Sequence, residues 1–312
     1  MKYPGKIRRA FAFLFLILAM VTVSACGKTQ ADPSQDGVIQ VVATTGMVAD
    51  IVREVGGDRV RVTSLMGPGV DPHLYKATQG DMAKLDQAEL IFYNGLHLEG
   101  KMDKILKRMG RIKPVVPVAE KIDPKRLIRT EDGQPDPHVW FDVQLWITAV
   151  ETVRDHLIQA DPGRKADYEA RAAAYIGELE DLDRYVRKQI ASIPKKRRVL
   201  VTAHDAFGYF GRAYDIQVVG LQGINTASEY GLSDVQQLVN LLTERKIKAV
   251  FIESSVPKRS IEAVVKGAAA KGHRVSIGGE LYSDALGEAG TPEGTYVGMI
   301  RHNVDAIVSA LK

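Results

Sequence analysis

The chain has 312 residues, of which 45% are hydrophobic, 26% charged and 7% aromatic. That balance excludes a disordered, collagen-like or disulfide-scaffold protein, and the length allows two domains, each with a core. The formal charge of +4 is carried by Lys2, Lys6, Arg8 and Arg9, which lie among the first 25 residues with no acid beside them, so the remainder is formally neutral. A neutral chain has no counterion release with which to hold DNA or RNA, and no nucleic-acid partner is expected.

Residues 1–9 are cationic, and Phe11 to Val23 is a thirteen-residue apolar run broken only by Thr22. That is the length of a signal-peptide core and short for a membrane-spanning helix. The run ends in Val23-Ser24-Ala25-Cys26-Gly27, with the chain's single cysteine where a bacterial lipoprotein carries its lipid. The expectation is a lipoprotein signal peptide over 1–25, lipidation at Cys26 and a polar tether over 26–37. This puts the protein on the extracytoplasmic face of the cell membrane, held by its lipid. One cysteine leaves no internal disulfide and no cysteine-rich metal site.

Strand-like and helix-like segments then alternate. Val38–Ala43, Val60–Leu65, Glu89–Tyr93 and Val115–Val118 read as strands, and Met47–Val55, Met82–Asp86 and Lys101–Met109 as helices. Residues 119–137 are polar and read as a surface loop, followed by a helix over Leu145–Ile158. Asp161-Pro162 predicts an N-cap and first position for a long helix running to about Ile190. Beyond it, Val199–Thr202, Gln217–Val219, Ala249–Ile252 and Arg274–Ile277 read as strands, and Val235–Glu244, Ile261–Lys271 and Tyr296–Leu311 as helices. The fold class is α/β: two lobes, each a mostly parallel sheet flanked by helices, over 38–160 and 194–312, bridged by one long helix over 161–193. Ligands of such folds sit beyond the carboxyl ends of strands, here between the lobes.

Seven histidines are present, two of them in an echoed tripeptide. Asp71-Pro72-His73 and Asp136-Pro137-His138 are each followed by an aromatic residue two positions on. This composition would give about 0.02 such tripeptides by chance, so the pair calls for a cause. Proline stiffens the loop that presents each imidazole. Asp71 and Asp136 can accept a hydrogen bond from a loop amide or from the ring's second nitrogen. His204 follows a strand and precedes a helix, beside Asp205. A carboxylate from the segment after the last strand, Glu280 or Asp284, would make a fourth donor. Glu253 ends a strand and is read first as a helix cap or loop brace through Ser254 and Ser255. His97 is ambiguous, His156 reads as solvated, His273 as a turn residue and His302 as a helix residue. Three imidazoles and a carboxylate from separate loops suit a divalent first-row transition metal.

The chain resembles the TroA-like family, the manganese- and zinc-binding lipoproteins that serve bacterial ABC importers, and within it the Gram-positive manganese branch. The resemblance rests on Met66-Gly67-Pro68-Gly69-Val70-Asp71-Pro72-His73-Leu74-Tyr75, Asn94-Gly95-Leu96-His97-Leu98-Glu99-Gly100, Asp136-Pro137-His138-Val139-Trp140-Phe141, Thr202-Ala203-His204-Asp205-Ala206-Phe207-Gly208-Tyr209-Phe210, Phe251-Ile252-Glu253-Ser254-Ser255 and Gly278-Gly279-Glu280-Leu281-Tyr282-Ser283-Asp284. It implies two lobes with small relative movement and a metal between them, held by His73, His138, His204 and Asp284. Asp71, Asp136, Asp205, Glu253 and Glu280 would support those ligands from behind. It further implies one Mn²⁺ or Zn²⁺ per chain as transported ligand, with Fe²⁺ a further candidate, and partnership with an ABC permease and its cytoplasmic ATPase. The protein is expected to work as a monomer. Some manganese-type members hold glutamate where His204 stands. Many zinc-type members carry a histidine-rich loop where residues 119–137 have no histidine. No nucleophile elbow, His-Glu-x-x-His, P-loop or dinucleotide motif occurs, so a metallohydrolase reading has no motif behind it, and a role in cell adhesion has no repeat behind it.

Overall fold

The computed structural model describes residues 37–130 and 132–312. The signal peptide, Cys26 and the tether up to residue 36 lie outside the described residues. The first lobe is a four-stranded parallel sheet in the order β2-β1-β3-β4. Its strands are β1 (Ile39–Ala43), β2 (Val60–Ser64), β3 (Leu90–Tyr93) and β4 (Val115–Pro117). Helices α1 (Gly46–Gly56), α2 (Gln79–Gln87) and α3 (Asp103–Met109) connect or follow them. The central strands β1 and β3 are almost wholly buried, which is why they read as continuous apolar runs without alternation.

Residues 119–130 and 132–137 are irregular apart from one 3-10 turn and a single antiparallel bridge between Arg129 and Pro135. Helix α4 (Val143–Ala160) follows, capped by the Asp142 carboxylate, which accepts from the amides of Gln144 and Leu145. The long helix begins later than its Asp-Pro signal suggests. Pro162–Arg164 forms a 3-10 turn, and α5 proper runs Lys165–Ala191, about 40 Å at 1.5 Å per residue. Asp161 caps nothing with its side chain; it accepts from the Tyr168 hydroxyl at 3.2 Å. The buried face of α5 is Tyr168, Ala172, Tyr175, Leu179, Leu182, Val186 and Ile190, spaced three or four apart as one helical stripe requires.

The second lobe has two parallel ladders, β5 (Val199–His204) with β6 (Gln217–Gln222) and β7 (Ala249–Glu253) with β8 (Ser276–Leu281). The fully buried β5 and β7 lie side by side. Helices α6 (Gly208–Tyr214), α7 (Leu232–Glu244), α8 (Arg259–Ala270) and α9 (Tyr296–Leu311) complete it. The sequence does not single out α6, which is only seven residues long, and β8 starts two residues later than expected.

The two lobes do not have separate cores. One apolar cluster runs from Val41 and Ala43 through Trp140, Trp146 and the α5 stripe to Phe207, Phe251, Leu281 and Tyr296. Smaller clusters lie on the outer faces, one per lobe. A polar bolt sits inside the shared core. The buried Asp50 carboxylate of α1 accepts from the Tyr175 hydroxyl of α5 at 3.0 Å and from the Tyr296 amide of α9 at 3.1 Å. It therefore ties both lobes to the bridging helix. Asp50→Ala would strand two buried donors, at about 1–3 kcal/mol for such a group. Urea denaturation should show a loss of that size; a variant as stable as wild type would mean the bolt carries no load.

Candidate metal centre

The four donor residues come from chain ends and loops that the sheets aim at one point. His73 lies in the loop after β2, and His138 in the loop between β4 and α4. His204 is the last residue of β5, and Asp284 follows β8 by three positions. All four are buried, none more than 3% exposed. Their donor atoms lie within 4.8 Å of one another. His138 Nε2 is 3.3 Å from both His73 Nε2 and His204 Nε2. Asp284 Oδ1 is 3.5 Å from His138 Nε2, and its Oδ2 is 3.8 and 3.6 Å from His73 and His204 Nε2. A tetrahedron with bonds of about 2.1 Å has edges of about 3.4 Å, so the spacing fits one first-row cation at the centre.

Two observations test that fit. Both oxygens of Asp284 are buried with no hydrogen-bond partner among the described residues. A buried carboxylate without partners is costly, and a cation among its neighbours offsets the cost. The imidazoles are also arranged to offer lone pairs. The His138 Nδ1–H donates to Asp136 Oδ1 at 2.7 Å, and His204 Nδ1–H donates to Glu253 Oε2 at 2.8 Å. With Nδ1 carrying a proton, Nε2 is the nitrogen each ring turns to the centre, and it offers a lone pair there whenever the ring is neutral. The same carboxylates hold the backbone: Asp136 Oδ1 accepts from the His138 amide and Glu253 Oε1 from the His204 amide.

The echoed tripeptides thus differ. Asp136 grips both ring and amide of its histidine. Asp71 Oδ1 takes only the His73 amide, at 2.8 Å. Glu253 is neither a helix cap nor a brace through the serines. As the last residue of β7 it stands beside the last residue of β5, and both its oxygens are taken by His204. Asp205 and Glu280 support no ligand. The Asp205 carboxylate makes no hydrogen bond to the four among the described contacts, its amide instead donating to the Gln222 carbonyl. Glu280 points outward and pairs with Lys258 at 2.8 Å. His97 is exposed and 3.6 Å from Asp103. His156 is half-buried: its ring donates to the Thr152 carbonyl and stands edge-on to Phe92. His273 donates to the Ile247 carbonyl and His302 to the Glu280 carbonyl.

Other contacts escape a reading of the sequence. The Trp140 indole N–H of the first lobe donates to the Ser283 carbonyl, next to Asp284, at 3.0 Å. The Tyr296 hydroxyl donates to the Trp140 carbonyl. The Tyr209 hydroxyl donates to the Asp136 carbonyl at 2.8 Å and accepts from the Ile128 amide. Asn94 donates to the carbonyl of Pro137, and buried Glu99 accepts from the Asn94 and Gly95 amides. The Asn94 to Glu99 motif is visible in the sequence, but nothing local tells what it holds.

The electrostatics divide the four donors. Burial, then the charges of the other histidines, pushes His73 far below the ordinary imidazole range, and burial does the same to His138. Both are neutral at neutral pH. Burial also opposes charge on His204, but Asp284 and Glu253 together outweigh it and push the ring up to about 9. Burial raises Asp284, against the pull of His204. A cation entering the site therefore displaces the proton carried by the His204 ring.

A fold of two α/β lobes on a bridging helix, with a buried three-imidazole, one-carboxylate cluster between them, defines a metal-receptor class of solute-binding protein. The chain belongs to the ZnuA family, described as the zinc-uptake complex component A, periplasmic, whose sequence model matches residues 41–310. This is a family of binding components of importers, not of enzymes. The manganese-binding lipoprotein MntA of Bacillus subtilis is 54% identical over 95% of this chain and 97% of its own length. The zinc-binding protein TroA of Treponema pallidum is 48% identical over 98% of this chain and 99% of its own. The solved structure of the periplasmic zinc-binding protein TroA from that organism superposes with a TM-score of 0.87 at 51% identity, covering 88% of this chain and 99% of that one.

Glu253→Ala frees the His204 ring to turn and leaves its amide unpaired. Loss of such a supporting carboxylate costs about 10–100-fold in metal affinity. Competition titration with a chelator should show a drop in that range; wild-type affinity would remove Glu253 from the site.

Proposed function

We propose that the chain is a lipid-anchored extracytoplasmic receptor that captures one Mn²⁺ between its lobes and delivers it to an ABC permease driven by a cytoplasmic ATPase. His73, His138, His204 and Asp284 are the ligands, the first two from the lobe over 38–160 and the others from the lobe over 194–312. Residues 161–193 bridge the lobes, residues 1–25 are the signal peptide, and Cys26 carries the lipid ahead of the tether that ends at residue 37. The receptor works as a monomer. The observation that carries the reading is Asp284: a buried, unpartnered carboxylate facing three Nε2 atoms at 3.5–3.8 Å. The 54% identity to a manganese-binding lipoprotein supports manganese as cargo.

Zn²⁺ is the second reading, favoured by the donors themselves. Three imidazoles and near-tetrahedral spacing suit zinc, and divalent affinity rises from manganese toward copper, with zinc above manganese. A relative at 48% identity is named for zinc. Fe²⁺ falls between them in that order. Selectivity for manganese would then depend on Asp284 closing with both oxygens to raise the coordination number, and on which metal is available outside the cell.

Elemental analysis of protein taken from metal-replete cells, beside a His138→Ala control, tests the function. About one equivalent of manganese in the wild type, lost in the control, is the expected result. One equivalent of zinc moves the cargo to zinc. Equal metal in both proteins overturns the ligand set.

Acid should weaken binding. Ligand imidazoles bind only when neutral, and His204 holds a proton up to about 9. The metal must displace that proton below this value, so apparent affinity falls by up to about tenfold per pH unit on acidification. Chelator competition between about pH 6 and pH 8 checks the slope; an affinity independent of pH would contradict proton displacement.

A further inference from the structure

Three carboxylates lie behind the imidazoles, and they do not act alike. His138 and His204 each have ring and amide fixed from within their own lobe. His73 has only its amide fixed, by Asp71 Oδ1, and among the described residues nothing hydrogen-bonds its Nδ1. Its orientation therefore depends on how firmly Asp71 is held. The other oxygen of Asp71 accepts from the Thr226 hydroxyl at 2.6 Å, and Thr226 belongs to the second lobe. Residue 226 is a polar side chain only 8% exposed, in a loop whose neighbours Asn225 and Ala227 are exposed.

That loop is tied back to another ligand. Gln222, the last residue of β6, donates through its side-chain amide to the carbonyls of Thr226 and Ser228 at 2.6 and 2.7 Å. Gln222 is also the ladder partner of His204. Close approach at this edge needs Gly220, where a Cβ would sit 2.6 Å from the Asp205 backbone. An unbroken path thus runs from His204 across the β5–β6 ladder to Gln222, to Thr226, to Asp71 and to His73. It joins a ligand of one lobe to a ligand of the other without passing through the metal.

We propose that Thr226 is a positioning residue that straps His73 across the lobe boundary and sets how fast the captured ion leaves. The inference rests on the reading of His73 as a ligand. His138 and His204 keep ring and amide oriented in the absence of the strap, and Asp284 stands beside them, so these three receive the ion first. His73 then completes the site, and it departs first when the Thr226–Asp71 bond opens. Removing the hydroxyl therefore speeds release and leaves capture nearly unchanged.

The test uses the mature protein loaded with Zn²⁺, mixed in stopped flow with an excess of a chromogenic chelator. Thr226→Val should release zinc about tenfold or more faster than wild type, with the association rate within about twofold. Thr226→Ser, which keeps the hydroxyl, should behave as wild type. A purely structural role would lower the melting temperature of the metal-free protein and slow capture as well, and serine would not separate the two rates. Release from Thr226→Val within twofold of wild type overturns the strap while leaving the site reading intact, as does Thr226→Ser releasing as fast as valine. A wild type that takes up no zinc overturns the site reading and the strap with it.

Discussion

The structure turns on one carboxylate in a dry place. Asp284 is buried, has no hydrogen-bond donor on either oxygen among the described residues, and faces the Nε2 atoms of three imidazoles. A charge so placed needs a counter-charge at the same point, and the four donors converge closely enough for a single ion to supply it. The surrounding polar contacts serve this constraint. Asp136 and Glu253 fix which nitrogen of His138 and His204 carries a proton, and so which one is free to bind. Backbone amides of both histidines are held by the same two carboxylates, so ring and chain cannot drift apart.

Holding such a site across two lobes requires that the lobes stay in register. The shared apolar cluster and the long helix do this on the large scale, because parting the lobes would expose a continuous core. Asp50, bonded to Tyr175 and Tyr296, does it inside that core. Closer to the site, Trp140 reaches from the residue pair after His138 to the carbonyl before Asp284. Tyr296 holds the Trp140 carbonyl in turn. Wide hinge opening would have to break this core first.

Local chemistry made much of this legible. Strands β1, β3, β5 and β7 are apolar runs because both their faces are covered. The Asp-Pro-His echo carries its own explanation in Pro stiffness and a nearby acceptor, and His204 stands at a strand end. What the sequence hid is non-local. The pairing of Glu253 with His204 joins two strand ends 49 positions apart, so Glu253 read as a local brace. The Thr226–Asp71 bond spans 155 positions and the Trp140–Ser283 bond 143. No periodicity or spacing reports such contacts. Between Glu280 and Asp284 the residues alone left the choice open and only the family resemblance pointed to Asp284; the fold supplies the reason, since Glu280 is the penultimate residue of β8 and turns to Lys258, whereas Asp284 lies past the strand and folds inward. The misplaced helix start at Asp161 arose because a 3-10 turn uses the same Asp-Pro opening as an α-helix.

The most direct measurement is a crystal structure of the manganese-loaded protein with anomalous data collected to locate the ion. This ligand set predicts one strong peak, within about 2.3 Å of Nε2 of His73, His138 and His204 and of the Asp284 carboxylate, with Asp136 and Glu253 still on Nδ1 of His138 and His204. A peak bound elsewhere, or an ion lacking any of those four ligands, would contradict it.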